Sequence, residues 1–170
     1  MNGRRMTIAL VLAAAFSAGA FAQTQKDKDA AQRFVGAWRL VSWTERLADG
    51  TTRQAATDVG YLMFAEGGRM CATLANSKRA PWSGAPRTLE EATARTTGYV
   101  SYCAQYDVHA QEGFVTYTED LDLNPGTVGV VRKRWFAFDG SDRLKLTIDA
   151  AERSAALQDS SLIWERVRGK

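Results

Sequence analysis

The sequence predicts an all-β fold, an antiparallel up-and-down β-barrel of about nine strands with one main α-helix. Three observations carry this. Phe34 to Glu45 reads as a first strand with period two, placing Trp38, Leu40, Ser42 and Thr44 on one face and Arg39, Val41, Trp43 and Glu45 on the other. Similar runs recur at intervals of roughly 8 to 14 residues, separated by Gly, Asn and Asp turn signals. A meander of that many strands leaves unpaired edges unless it closes on itself, which favours a barrel, with a two-layer sandwich as the competing architecture.

The elements follow in chain order. Residues 1–22 are expected to be a secretory signal, because Arg4 and Arg5 precede the apolar run from Ile8 to Phe16 and Ala20-Phe21-Ala22 offers small residues for cleavage. That run is shorter than the roughly 20 residues a bilayer span needs, so no integral membrane segment is expected in the mature chain. Residues 23–33 read as a polar leader or short initial helix, and 34–168 as the barrel domain. Both faces of the first strand carry a Trp, so one indole is expected inside and the other beneath a covering element. Ala48-Asp49-Gly50 turns the chain back through Thr51 to Ala55, and Gly60 to Ala65 and Arg69 to Leu74 form a hairpin about Glu66-Gly67-Gly68. Asn76 to Arg87 reads as a loop carrying Trp82, either a plug on the domain or part of a lid.

Thr88-Leu89-Glu90-Glu91 is a capping-box start. The stripe Leu89, Ala92, Thr96, Tyr99, Val100 and Cys103 predicts a helix lying across the sheet, weakened at Gly98. Strands resume at Gln105 to Ala110, Phe114 to Leu121, Val128 to Phe138, Leu144 to Ile148 and Leu162 to Val167.

Composition excludes several functions. The 22 basic and 19 acidic residues include Arg4 and Arg5 of the leader, so the mature chain is close to neutral and has no basic cluster for nucleic acid. One histidine, His109, and two cysteines at no ligand spacing argue against a metal site. With no Gly-x-Ser-x-Gly elbow and no Gly-rich phosphate loop, no cofactor is implied. Cys71 and Cys103 would meet an oxidising compartment, where a disulfide from the fourth strand to the helix end is expected; two buried thiols are the alternative.

The remaining polar signal lies on the later strands. Val130, Arg132, Arg134, Phe136 and Phe138 share a face, and an Arg in phase with two Phe needs an acceptor if that face lines the barrel. The preceding strand offers Tyr117 and Glu119 on one face, Thr118 and Asp120 on the other. The outcome is either an internal salt bridge or a polar anchor for a ligand. Tyr61, Met63, Tyr99, Tyr102, Tyr106 and Tyr117 are the candidates for the rest of a cavity, with Glu119, Arg132 and Arg134 as its polar groups.

The opening Gly36-x-Trp38 resembles the lipocalin signature, in which the Trp closes the barrel bottom. The late Trp164-Glu165-Arg166 matches the usual Arg that covers that indole, so Arg166 is expected against Trp38. The order Ala48-Asp49-Gly50, Gly60-Tyr61-Leu62-Met63-Phe64, Gly68-x-Met70, Tyr106-Asp107-Val108, Leu123-Asn124-Pro125, Arg134-x-Phe136 and Leu144-x-Leu146 is similar to the lipocalin-like domain family of bacterial and fungal proteins. Tyr117 stands where that family often has His, and Gly126-Thr127 follows Asn124-Pro125 in place of an aromatic. The resemblance implies a calyx barrel. Two functions stay open: a secreted, periplasmic carrier of a small hydrophobic molecule, or a cyclase- or isomerase-type enzyme using Glu119 or Asp120 as base with Tyr or Arg at an oxyanion.

Overall fold

The computed structural model describes residues 25–79, 84 and 88–169, with backbone alone at 94 and 95. The expected leader peptide over 1–22 and the loop residue Trp82 lie outside the described residues. Residues 25–34 are helical (α1) and end on Phe34, which is fully buried. Nine antiparallel strands follow: β1 (Gly36–Leu47), β2 (Thr52–Gln54), β3 (Val59–Ala65), β4 (Arg69–Ala75), β5 (Tyr99–His109), β6 (Phe114–Asp122), β7 (Val131–Asp139), β8 (Arg143–Ile148) and β9 (Leu157–Arg166). A short helix, α2 (Leu89–Thr96), interrupts the run between β4 and β5.

The sheet runs β2-β1-β3-β4-β5-β6-β7-β8-β9 and closes through β1 on β9. Closure works because β1 is long enough to serve two neighbours on one edge. Gly36 to Arg39 pair with β3 and Thr44 to Arg46 with the short β2, while the other edge follows β9 from Trp38 to Leu47. The result is an eight-stranded barrel with β2 as an extra strand, and every long strand has partners on both sides.

One end of this barrel is packed solid. Phe34 drops from the end of α1 onto Phe64, Phe136 and Phe138, with ring centroids about 5 Å apart. Trp38 lies beside them with no exposed surface and donates its indole N–H to the Phe34 carbonyl at 2.7 Å. The Arg166 guanidinium covers the other side, 4.1 Å from the Trp38 ring. It also donates to the carbonyls of Arg33, Val35 and Ser141 at 2.6 to 2.9 Å, tying α1, β1, the β7–β8 turn and β9 together. Gly36 is what allows this approach. Its φ of +123° disfavours any side chain, and a Cβ there would stand 3.0 Å from Arg166 Nη1.

Two expectations about elements need correction. The helical stripe ends at Thr96, and Tyr99, Val100 and Cys103 belong to β5, paired residue for residue with β4. Thr97 is already extended and Gly98 turns at φ +70°, so the chain leaves the helix before the β-prone Tyr99-Val100-Ser101-Tyr102 segment begins. Nor does α2 cover the sheet, since Leu89 is 84% exposed.

The two Trp of β1 do not lie on opposite faces. The register against β9 steps over Val41, a bulge that inserts one residue and reverses the alternation. Trp38 and Trp43 therefore both point into the barrel.

Candidate functional site

Beyond the aromatic plug the lumen opens. Its wall is built by the inward residues of eight strands: Trp43 on β1, Leu62 on β3, Leu74 on β4, Val100 and Tyr102 on β5, Tyr117 on β6, Arg134 on β7, Leu146 and Ile148 on β8, Leu162 and Trp164 on β9. They enclose a cavity of about 90 Å³. Tyr117 and Trp164, each 1% exposed, are its most buried members and form the floor; Trp43, Val100, Tyr102, Arg134 and Ile148 are only partly buried and surround the mouth.

The sequence profile of the lipocalin-like domain family matches residues 35–167, the stretch that forms this barrel and all of its plug but Phe34. The chain belongs to the lipocalin-like domain family. No curated protein matches it.

The charged groups nearest the lumen of the lipocalin-like barrel are paired. Arg134 Nη1 lies 2.7 Å from Glu152 Oε2, both side chains largely buried. Arg132 Nε donates to Glu119 Oε1 at 2.9 Å, and Glu119 is buried because strand alternation places it on the inner face with Val115 and Tyr117; a second bulge follows it at Asp120, opposite the Cys103–Ala104 step. Asp120 points outward and pairs with Arg69. An acceptor for Arg134 was expected from β6. The structure supplies it from the turn between β8 and β9, while the β6 carboxylate goes to Arg132.

The nine cavity candidates divide by strand phase. Tyr102, Tyr117 and Arg134 line the cavity together. Glu119 and Arg132 form an ion pair outside its lining. Tyr106 is buried in the plug against Phe34 and Phe64 and donates to the Ala65 carbonyl. Tyr99 begins β5 beneath the Arg79 guanidinium, 4.7 Å from its ring.

Tyr61 and Met63 are corrected: they are 50% and 53% exposed on the outer face, because Leu62 and Phe64 take the inner positions of β3. Both faces of that strand are apolar in sequence, so alternation alone could not decide. Sequence reasoning missed Trp43, Trp164 and the aliphatic wall on β3, β4, β5, β8 and β9, and also Glu152, which holds Arg134 from outside the lining.

Cys71 and Cys103 form a disulfide. It joins neighbouring strands β4 and β5 at directly opposed positions, and the expected link to a helix end is corrected with the helix itself. Among the described residues no group of three His, Cys, Asp or Glu is placed to hold a metal, and no helix is long and apolar enough to cross a membrane. His109 stacks on Phe114 with ring centroids 4.4 Å apart. A larger groove of about 810 Å³ runs between α1 and the ends of β3 to β6, but it is open to solvent and mixed in polarity.

Burial sets the chemistry of the cavity tyrosines. It pushes the Tyr102 hydroxyl up to about 12 and the Tyr117 hydroxyl well above the ordinary value near 10. A group whose folded pKa is raised stabilises the fold fully below its unfolded pKa and loses that contribution as pH climbs through the folded value. Stability is therefore expected to hold up to about pH 10 and to fall from there past 12. Alkaline titration should show part of the tyrosinate absorbance appearing only with unfolding. Simultaneous ionisation of all five tyrosines near pH 10 in an intact fold would contradict this.

Proposed function

We propose that this barrel binds a small, largely apolar molecule in its lumen and does so after export to an oxidising compartment, the bacterial periplasm. The observation that supports the reading is the enclosed cavity, apolar around most of its wall and stopped at one end by the Phe34–Trp38 plug. The disulfide fits an oxidising compartment. The cavity is small beside the roughly 300 to 1,000 Å³ of drug-sized sites. Scaled from a cavity of about 150 Å³ that takes benzene, it holds about four heavy atoms, and a longer ligand would extend through the mouth.

The enzyme alternative needs a carboxylate and a tyrosine on one cavity. The lining offers two tyrosines and an arginine; Glu119 and Glu152 are each engaged by an arginine and neither lines it. Binding without acid–base chemistry is the better-supported reading.

Titration with chloroform, a neutral apolar quencher of tryptophan emission with four heavy atoms, tests it. The expected result is saturable one-site binding that quenches tryptophan emission and is lost in Val100→Trp, which fills the mouth while leaving the plug untouched. Equal binding by the filled variant, or no saturable binding by the parent, would sink the proposal.

A further inference from the structure

Two hydrogen-bond donors at the cavity floor have no partner. Tyr117 Oη and Trp164 Nε1 are both buried, both belong to residues lining the cavity, and neither has an acceptor among the described residues. Most buried polar atoms in folded proteins are hydrogen-bonded, and leaving one unsatisfied costs its full desolvation with nothing in return. An indole N–H can only donate, so what Trp164 lacks is an acceptor. Trp43, at the mouth, is different: its Nε1 donates to Ser160 Oγ at 2.9 Å.

The charge around the site narrows the acceptor. Arg134 is the one cation in the lining, and it belongs to the mouth, where Glu152 neutralises it. Arg132 is spent on Glu119. A carboxylate taken to the floor would enter a buried, mostly apolar region without a free cation, which its desolvation strongly disfavours. A neutral carbonyl carries no such cost and would receive both donors. With its raised pKa, Tyr117 keeps its proton at neutral pH and remains able to donate.

Building on the lumen-binding reading, we propose that the cavity floor selects a neutral carbonyl compound, a ketone or aldehyde with an apolar tail, entering oxygen first and held by Tyr117 Oη and Trp164 Nε1. The methyl, carbonyl carbon, oxygen and next methylene of a methyl ketone match the small enclosed volume. The tail then runs past Leu162, Val100 and Ile148 to the mouth.

A matched series of methyl butyl ketone, hexanoate and hexane, titrated at neutral pH by NMR with the Trp164 indole N–H as reporter, tests this. The ketone is expected to bind about tenfold or more tightly than either of the others and to shift that resonance. Tyr117→Phe should weaken the ketone about threefold to tenfold relative to hexane, with thermal stability measured alongside to confirm folding. Hexanoate binding as tightly as the ketone, or an indole resonance that does not move, would overturn the carbonyl assignment and leave lumen binding intact. Binding of none of the three would overturn both.

Discussion

Trp38→Ala is expected to destabilise the barrel by about 3 to 5 kcal/mol, a large share of the roughly 5 to 15 kcal/mol that holds a domain of this size folded. Two costs combine. The indole is fully buried between Phe138 and the Arg166 guanidinium, so truncation leaves a cavity that the closed ring of strands cannot collapse to fill. The Phe34 carbonyl also loses its 2.7 Å donor in a buried setting. Arg166 would keep its three carbonyl partners and stay in place, so the guanidinium is not expected to rescue the gap. In urea the midpoint should fall with the slope unchanged, as befits a change in stability without a change in fold. Trp38→Phe should lose about 1 kcal/mol for the hydrogen bond and somewhat more for the smaller ring. A double-mutant cycle with Arg166→Met should return about 0.5 to 2 kcal/mol of coupling. A Trp38→Ala loss below 1 kcal/mol would mean that the indole does not close this end.

The Trp38–Arg166 half of the plug was legible through the lipocalin resemblance, whose marks are local: a glycine two residues before a tryptophan, and an arginine two residues after another tryptophan on the last strand; Phe34, read as the start of that first strand, ends α1 instead. The strands were legible for a similar reason, since alternation and glycine turns are properties of short windows; Gly50, Gly67, Gly68, Gly113 and Gly140 all adopt the positive φ that those turns require. What escaped depends on partners distant in sequence. The bulge at Val41 exists only in register against β9, and it alone turns Trp43 inward. Glu152 reaches Arg134 from a turn that no pattern on β7 could announce. Tyr99 to Cys103 satisfied a helical spacing as well as a strand one, and pairing with β4 decided between them. Of the cavity itself, Tyr102, Tyr117 and Arg134 were nameable as residue types that a polar anchor needs. Their convergence, and the unpaired indole of Trp164, are products of barrel closure.

Breaking the Cys71–Cys103 bond is expected to cost about 3 to 4 kcal/mol, from the entropy that the unfolded chain regains when a ring of this length opens. The ring matters because of what it encloses. Between the two cysteines lies the whole β4–β5 connection, including α2, whose few contacts with the barrel do little to hold it. The bond clamps that long excursion at its base, on the outer face. Further toward the mouth on the same two strands, Tyr102 and the paired Leu74 and Val100 form one wall of the cavity. Reduction should therefore lower the unfolding midpoint and also raise amide exchange at Val100 and Tyr102 above that in β7 and β8, where no cross-link intervenes. Cys71→Ala combined with Cys103→Ala should reproduce both effects without added reductant. A midpoint that barely moves, or exchange that rises evenly around the barrel, would show that the β4–β5 wall is held by its ladder alone.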